Sequence, residues 1–365
     1  MISILGAGCS TAAGQGIPAL MSGLHAGSNF LSRVPPDSWR VKPAFEPFAF
    51  RWPDRGGATI RELLVQHLSH AFREARGDLN LAGRYGVILA STKGLTEDFV
   101  WDTSAAVDPL TPVLDDVIAA FRLKPSMKIC VSNACASSLA ALSLAKTWLT
   151  ELDHVIVLAA DAIDSFVLSG FAQLRVLTTE ITRPFDGGRS GFYLGDAAAC
   201  VILSRVDQSD VQLLDARFDS EGYAVTRPSH SGDSLLRACR ALSVSKHISA
   251  SRADLVIAHG TATRANDETE DRVFQQLFTE HAPAITGTKW MIGHTLGASG
   301  LIDTIVAQEA IRTQTAPALM TTQQIDPAFK GRYLTGNAQQ LKIDNILVTS
   351  LGFGGVHAAA MVGKT

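Results

Sequence analysis

Residues 132–145 read Ser132-Asn133-Ala134-Cys135-Ala136-Ser137-Ser138-Leu139-Ala140-Ala141-Leu142-Ser143-Leu144-Ala145, directly after an apolar, β-leaning run from Lys128 to Val131. A strand breaks here into a helix of small residues, with Cys135 on the elbow. The first turn of a helix carries unpaired N–H groups and the positive end of its dipole, and both favour a thiolate. The small residues after the cysteine let a carbonyl approach the backbone. A lone cysteine is more often a small buried hydrophobe than a nucleophile, so the elbow needs companions elsewhere in the chain.

Two further polar islands supply them. Val256-Ile257-Ala258 runs into His259-Gly260-Thr261-Ala262-Thr263, and Gly287-Thr288-Lys289-Trp290-Met291-Ile292, read as a strand, runs into Gly293-His294-Thr295-Leu296-Gly297-Ala298-Ser299-Gly300. Around them the chain has 365 residues, 46% hydrophobic and 18% charged, which suffices for a large core. A formal charge of −3 gives no nucleic-acid surface. Cys9, Cys130, Cys135, Cys200 and Cys239 are odd in number and widely spaced, as in a reducing compartment. The N-terminal stretch lacks a signal-peptide pattern and no apolar run is long enough for a membrane span, so a cytoplasmic protein without an integral membrane segment is expected. His67 and His70, the nearest histidine pair, lie on a helical pattern without companions at ligand spacing; they read as a solvated or packed face, and no metal site is expected.

Strand patterns at Ile2–Leu5, Gly86–Ala90, Lys128–Val131, His154–Ala159 and Ala199–Leu203 alternate with helical ones. A second series starts near Val211, with Leu255–Ala258 and Ile346–Thr349 as its clearest strands. That rhythm means an α/β fold with partly parallel strands; by itself it fits a generic doubly wound sheet as well as two copies of one unit. Arg33–Arg55, with five prolines and several aromatics, reads as an irregular surface excursion.

These motifs together resemble the β-ketoacyl synthases of the thiolase superfamily. Asn133-Ala134-Cys135-Ala136-Ser137-Ser138-Leu139 is similar to the nucleophile motif. His259-Gly260-Thr261-Ala262-Thr263 with Asn266, Asp267 and Glu270 is similar to the first histidine motif, and Lys289 with Gly293-His294 through Gly300 to the second. Gly352-Phe353-Gly354-Gly355 is similar to the C-terminal glycine loop; Pro184-Phe185-Asp186, Arg189, Gly191-Phe192 and Gly195-Asp196 match a further family stretch. Five strings in family order carry far more weight than any one.

The resemblance implies a thiolase-like fold, duplicated α/β halves in a five-layered αβαβα arrangement. The halves are expected at 1–207, carrying the nucleophile, and 208–365, carrying both histidines. It implies an acyltransferase without cofactors that condenses a Cys135-bound acyl chain with a malonyl thioester on acyl carrier protein, in fatty-acid, polyketide or polyene biosynthesis. Cys135, His259, His294 and Lys289 would be catalytic. Backbone N–H groups of Cys135 and Phe353 would form the oxyanion hole, with Phe353 a gate that Gly352 and Gly354 free to move. Asp303 would pair with Lys289, where the family prefers glutamate, and Glu270 would support the His259 loop.

The chain departs from the family pattern at Ala262 (usually glycine), Asp196 (usually glutamate) and Val356-His357 (usually Thr-Asn), and it is short before the cysteine. These place it in a divergent branch. A thiolase would carry a second cysteine in the glycine loop, and an initiating synthase an asparagine at His294. The expected partners are acyl carrier protein, docking on a basic patch to which Arg33, Arg40, Arg51 and Arg55 contribute, and a second ketosynthase-like subunit, like or unlike. The alternative is a chain-length-factor-like subunit of a heterodimer, against which the retained Cys135, His259, Lys289 and His294 argue.

Overall fold

The structure is a computed structural model that describes residues 2–34, 48–54, 56–96, 108–245 and 248–364. Arg40, Arg55 and the centre of the proline-rich excursion lie outside the described residues. The excursion's ends are regular: Leu31–Arg33 pairs antiparallel with Phe48–Phe50.

Strands β1 (Ile2–Thr11), β2 (Tyr85–Ala90), β3 (Met127–Val131), β4 (His154–Asp161) and β5 (Ala197–Ser204) stand in the spatial order β1-β5-β4-β2-β3. The first two pairings are antiparallel and the next two parallel. Strands β6 (Val211–Ser220), β7 (Leu255–Ile257), β8 (Ala284–Thr286), β9 (Arg332–Tyr333), β10 (Asn345–Leu351) and β11 (Val356–Lys364) repeat it as β6-β11-β10-β7-β8, antiparallel twice and then parallel, with β9 added at the edge. The halves meet where Ile2 and Ser3 pair with Leu213 and Gln212. Repetition of order and direction is a duplication legible in the backbone.

Helices fill three layers. Helices α1 (Ile60–Arg76) and α2 (Thr111–Ala120) cover one outer face; α3 (Ser137–Trp148) lies centrally, and α4 (Ser165–Gln173) borders the site. Helices α5 (Asp233–Ala241) and α6 (Arg264–Leu277) cover the opposite face, and α7 (Ser299–Thr313) joins α3 in the middle. Helix α3 packs on β4 and β6, and α7 on β5 and β10, so each central helix touches both halves. Ala140, Ala141 and Ala145 let α3 approach closely, while buried Leu139 and Leu142 each contribute about 1.5–3 kcal/mol. Helix α7 has no consistently wet face, since even Asp303, Thr304 and Gln308 are buried.

Two expectations change. The 287–292 run is not a strand: β8 ends at Thr286 and Lys289–Ile292 forms one helical turn. Trp290, Met291 and Ile292 are all buried, and a short apolar run buried on every side has no period to separate strand from helix. Ile2–Leu5 continues to Thr11, through glycines that set Ala75 and Ala71 carbonyls directly against the strand. His67 is packed, its ring stacked 3.8 Å from that of Trp52 and its Nδ1 2.8 Å from Ser10 Oγ. Among the described residues no helix is long and apolar enough to cross a membrane, and all five cysteines are free.

Candidate active site

Cys135 stands two residues before α3. Ala134, immediately ahead, adopts φ +49°, a conformation that costs an L-residue about 1–2 kcal/mol and turns the thiol out of the strand direction. Ser137 secures the elbow: its Oγ accepts from the Asn133 N–H at 2.8 Å and donates to the Ala134 carbonyl at 2.6 Å. Cys135 is 3% exposed, and its Sγ lies 3.0 Å from His294 Nε2.

The backbone of His294 is held by the strip at 193–195, its N–H donating to the Tyr193 carbonyl and its carbonyl accepting from Gly195. Its Nδ1 is 3.2 Å from Ser299 Oγ, which is 3.0 Å from Thr295 Oγ1. A hydroxyl that both donates and accepts can serve either imidazole tautomer. The His259 ring lies 5.0 Å from that of His294, nearly perpendicular, and its Nδ1 is buried without a hydrogen-bond partner.

Glu270 fixes the His259 loop. Its carboxylate accepts from the N–H groups of His259 and Gly260 at 2.8 and 2.7 Å, from Thr349 Oγ1 at 2.7 Å and from Asn266 Nδ2 at 2.9 Å. With its lone pairs occupied it anchors the loop, and no position is left for substrate. Asp267 accepts from the Phe185 N–H, joining the Pro184–Asp186 stretch to the same loop. Arg189 reaches Asp326 at 2.7 Å, and Asp196 accepts from Trp52 and Ile163 N–H groups. Lys289 Nζ meets Asp303 Oδ2 directly at 3.3 Å, while Thr288 donates to Oδ1 at 2.6 Å. The shorter acid reaches because Lys289 starts a helical turn beside α7.

Electrostatics sharpen the picture. Burial pushes the Cys135 thiol up to about 12; Lys289 and the backbone N–H groups of Phe353 and Cys135 oppose this, and Asp161 adds to it. The elbow therefore moderates the acidity but does not yield a resting thiolate, because desolvation outweighs the helix end. Burial, reinforced by the Lys289 charge, holds both His259 and His294 well below the ordinary imidazole value, so both are neutral.

A cavity of about 250 Å³ opens onto these groups between Phe171, Phe192, Arg227 and Phe353. Phe353 stacks on Phe171, ring centroids 5.6 Å apart. Its loop packs on the elbow: a Cβ on Gly352 would stand 3.0 Å from the Asn133 carbonyl oxygen, and Gly354 sits at φ +83°. His357 also lines the cavity, with Nε2 3.1 Å from Glu221 Oε1. Among the described residues, Cys135, His259 and His294 are the one trio whose ligand atoms cluster, all within 4.8 Å. His294 is engaged through both nitrogens, Nε2 toward the sulfur and Nδ1 toward Ser299.

Cys135, His259, His294, Lys289, Asp303, Glu270 and Phe353 thus converge from both halves. Sequence reading missed Ser299, Thr288, Thr349 and Asp161, hydroxyls and a carboxylate, and the Glu221 partner of His357. Ser299 and Thr288 lie inside the motif stretches quoted above and Asp161 is a polar residue amid apolar neighbours, whereas nothing in the sequence marked Thr349 or Glu221.

A thiol, two imidazoles and a flanking backbone N–H thus meet on a duplicated, thiolase-like αβαβα fold. Residues 43–209 match the β-ketoacyl synthase N-terminal domain and residues 212–323 its C-terminal domain, so the chain belongs to the β-ketoacyl synthase family. A 3-oxoacyl-[acyl-carrier-protein] synthase 2 of Coxiella burnetii is 31% identical over 212 residues, 54% of this chain and 51% of that protein. The match spans about half the length of such curated relatives. Two solved structures superpose on the whole chain: the ishigamide ketosynthase/chain length factor, with TM-score 0.84, 23% identity and 99% of that chain covered, and a type II polyketide synthase acyl-carrier protein in complex with its ketosynthase bound to the hexaketide, with TM-score 0.86, 20% identity and 99% covered.

Proposed function

We propose that this chain is a β-ketoacyl synthase that joins an acyl group held on Cys135 to a malonyl-type extender carried by acyl carrier protein. The supporting observation is the 3.0 Å approach of Cys135 Sγ to His294 Nε2, with the Phe353 N–H at the sulfur. In the first step sulfur attacks the acyl thioester carbonyl while its proton passes to His294 Nε2. The tetrahedral oxyanion is held by the N–H groups of Cys135 and Phe353. The carrier C–S bond then breaks, and the departing sulfur takes the proton from His294, leaving that imidazole neutral.

In the second step the extender's C–carboxylate bond breaks and its electron pair moves into an enolate. The thioester oxygen, where charge develops, accepts hydrogen bonds from His259 and His294, each of which as a neutral imidazole presents one N–H. Carbon dioxide leaves, the enolate carbon attacks the Cys135 thioester, the C–S bond breaks, and the expelled thiolate takes up one proton. Burial, reinforced by the Lys289 charge, keeps both imidazoles neutral. No cofactor enters these steps.

The N-terminal half, 1–207, brings the nucleophile and the C-terminal half, 208–365, both histidines; the repeated strand order and the two family matches support this division. A second ketosynthase-like subunit fits the edge strand β3, where Met127 and Ile129 are 37% and 43% exposed beside unpaired backbone. Carrier protein approaches near the excursion bearing Arg33 and Arg51, and charge reversal there that leaves the salt dependence of turnover unchanged excludes that face. Five free cysteines suit the cytoplasm.

Incubation with an acyl carrier protein thioester, alone and with candidate partner subunits, tests the whole reading by mass spectrometry. An acyl adduct lost in Cys135→Ala, and carbon dioxide release from malonyl carrier protein weakened in His259→Ala and His294→Ala, are expected. Neither signal under any pairing would assign the chain to the non-catalytic partner role.

A further inference from the structure

A buried carboxylate behind the site joins its two halves. Asp161 ends β4 and is 1% exposed. Its Oδ1 accepts from Ser91 Oγ at 2.8 Å; its Oδ2 accepts from the N–H of Thr92 at 2.9 Å and the N–H of Gly297 at 2.8 Å. Ser91 and Thr92 are bonded in turn to the elbow. The Ser91 N–H donates to the Val131 carbonyl at 3.1 Å, Thr92 Oγ1 to the Ala134 carbonyl at 3.2 Å, and Ser132 Oγ to the Thr92 carbonyl at 3.0 Å. Gly297 lies three residues beyond His294, on the loop that carries it into the site. The approach leaves no spare room: a Cβ on Gly297 would stand 2.7 Å from the Thr92 nitrogen and 2.9 Å from Asp161 Oδ2.

The surrounding charges are consistent with an anchor. Burial raises the Asp161 carboxyl and Lys93 opposes this. Lys93 is itself ion-paired with buried Asp164, three residues beyond Asp161. An ionised carboxylate offers acceptors only, which suits a position faced by two N–H groups and a hydroxyl.

We propose that Asp161 is a positioning residue that clamps the Cys135 elbow to the His294 loop and so holds Sγ and Nε2 at reacting distance. It touches neither sulfur nor imidazole; it acts through Thr92 and Gly297. The inference rests on Cys135 and His294 as the reacting pair, not on any substrate.

Iodoacetamide modification of Cys135, followed by peptide mass spectrometry, reads that pair without carrier protein. Asp161→Ala should slow it at least about tenfold, since small misplacements of reacting groups are costly. Asp161→Asn should stay close to wild type, because its carbonyl oxygen can take both N–H groups while its amide turns to Ser91 Oγ. Gly297→Ala forces the same contact apart from the other side, so it should reproduce the defect, and Asp161→Ala/Gly297→Ala should be no slower than the slower single variant. A folded Asp161→Ala that reacts at the wild-type rate overturns the proposal, as does an Asp161→Asn equally slow or a fully additive double variant. If Asp161→Ala does not fold, Asp161→Asn against Gly297→Ala decides by the same criteria. His294→Ala separates the two levels: if it leaves the rate unchanged the reacting pair itself is wrong and the clamp falls with it, whereas a slow His294→Ala beside a fast Asp161→Ala removes the clamp alone.

Discussion

Cys135 Sγ and His294 Nε2 stand 3.0 Å apart although they are 159 residues apart in sequence, and burial keeps the sulfur protonated while the imidazole is neutral. In the proposed reaction, a thiol facing a neutral imidazole, both out of water, makes deprotonation part of the attack.

Alkylation should therefore depend on pH unlike that of a free cysteine. A free thiol reaches its maximum rate a little above its ordinary value of 9.0; Cys135, pushed up to about 12, should react faster with every step of pH past that point. Iodoacetamide rates between pH 7 and 10, resolved by peptide mass spectrometry, check this. A plateau from pH 7 upward would mean that the thiol's own ionisation does not limit alkylation, and a plateau that survives His294→Ala would mean a resting thiolate.

The Lys289–Asp303 pair sets a second expectation. Both side chains are buried, so Asp303→Ala leaves an unpaired buried cation and should cost about 3–5 kcal/mol, read as a lower urea midpoint. Lys289→Met with Asp303→Leu removes both charges and should recover most of that stability. The double variant also loses the cation that helps depress both imidazoles, so His259 and His294 should titrate at higher pH. Histidine NMR titration that leaves both unmoved would assign their depression to burial alone.

Much of this site was legible because its chemistry is written in polar residues placed where apolar strands end. Cys135, His259 and His294 each interrupt or follow such a run, and Lys289 and Asp303 are charges inside apolar stretches. The α/β alternation likewise followed from apolar strand patterns. The duplication was too faint in side chains and appeared only in strand order, because the halves share backbone topology while their core residues have diverged. Lys289–Ile292 could not be told from a strand, since burial on all sides erases periodicity. Asp161 and Ser299 stayed hidden for another reason: their roles depend on which loops meet, and that is a property of tertiary packing.

Ala262, where the family pattern has glycine, occupies φ +59°. An alanine there carries left-handed strain of about 1–2 kcal/mol, partly offset by the greater freedom a glycine would have in the unfolded chain. Ala262→Gly should therefore stabilise the protein by about 0.5–1 kcal/mol, measured by urea denaturation. Since the Ala262 carbonyl accepts from the Gly191 N–H and Gly260 already supplies a flexible neighbour, acyl transfer to Cys135 should be retained. A destabilised variant would show that the Ala262 methyl contributes more through packing than its backbone costs.

His357, another of the departures, gives a prediction with a definite sign. Burial lowers its imidazole below the ordinary value of 6.5 despite the opposing pull of Glu221, which it meets at 3.1 Å. Its contribution to stability is full above the unfolded value near 6.5 and is lost as pH falls through the lower folded value, because the unfolded chain binds the proton more readily. At pH 8, His357→Asn should be less stable by about 1.5–3 kcal/mol, the worth of a hydrogen bond to a charged group. As pH falls below about 6.5 the wild type loses stability through His357 that the variant does not, so the gap should narrow. Buried carboxylates with raised values, Asp267 and Glu270 among them, push in the opposite direction but titrate in both proteins, and they cancel in the difference. Paired urea midpoints at about pH 8 and pH 5.5 decide it; a gap that stays constant or widens in acid would mean that His357 is charged in the folded protein and that its contact with Glu221 is an ion pair.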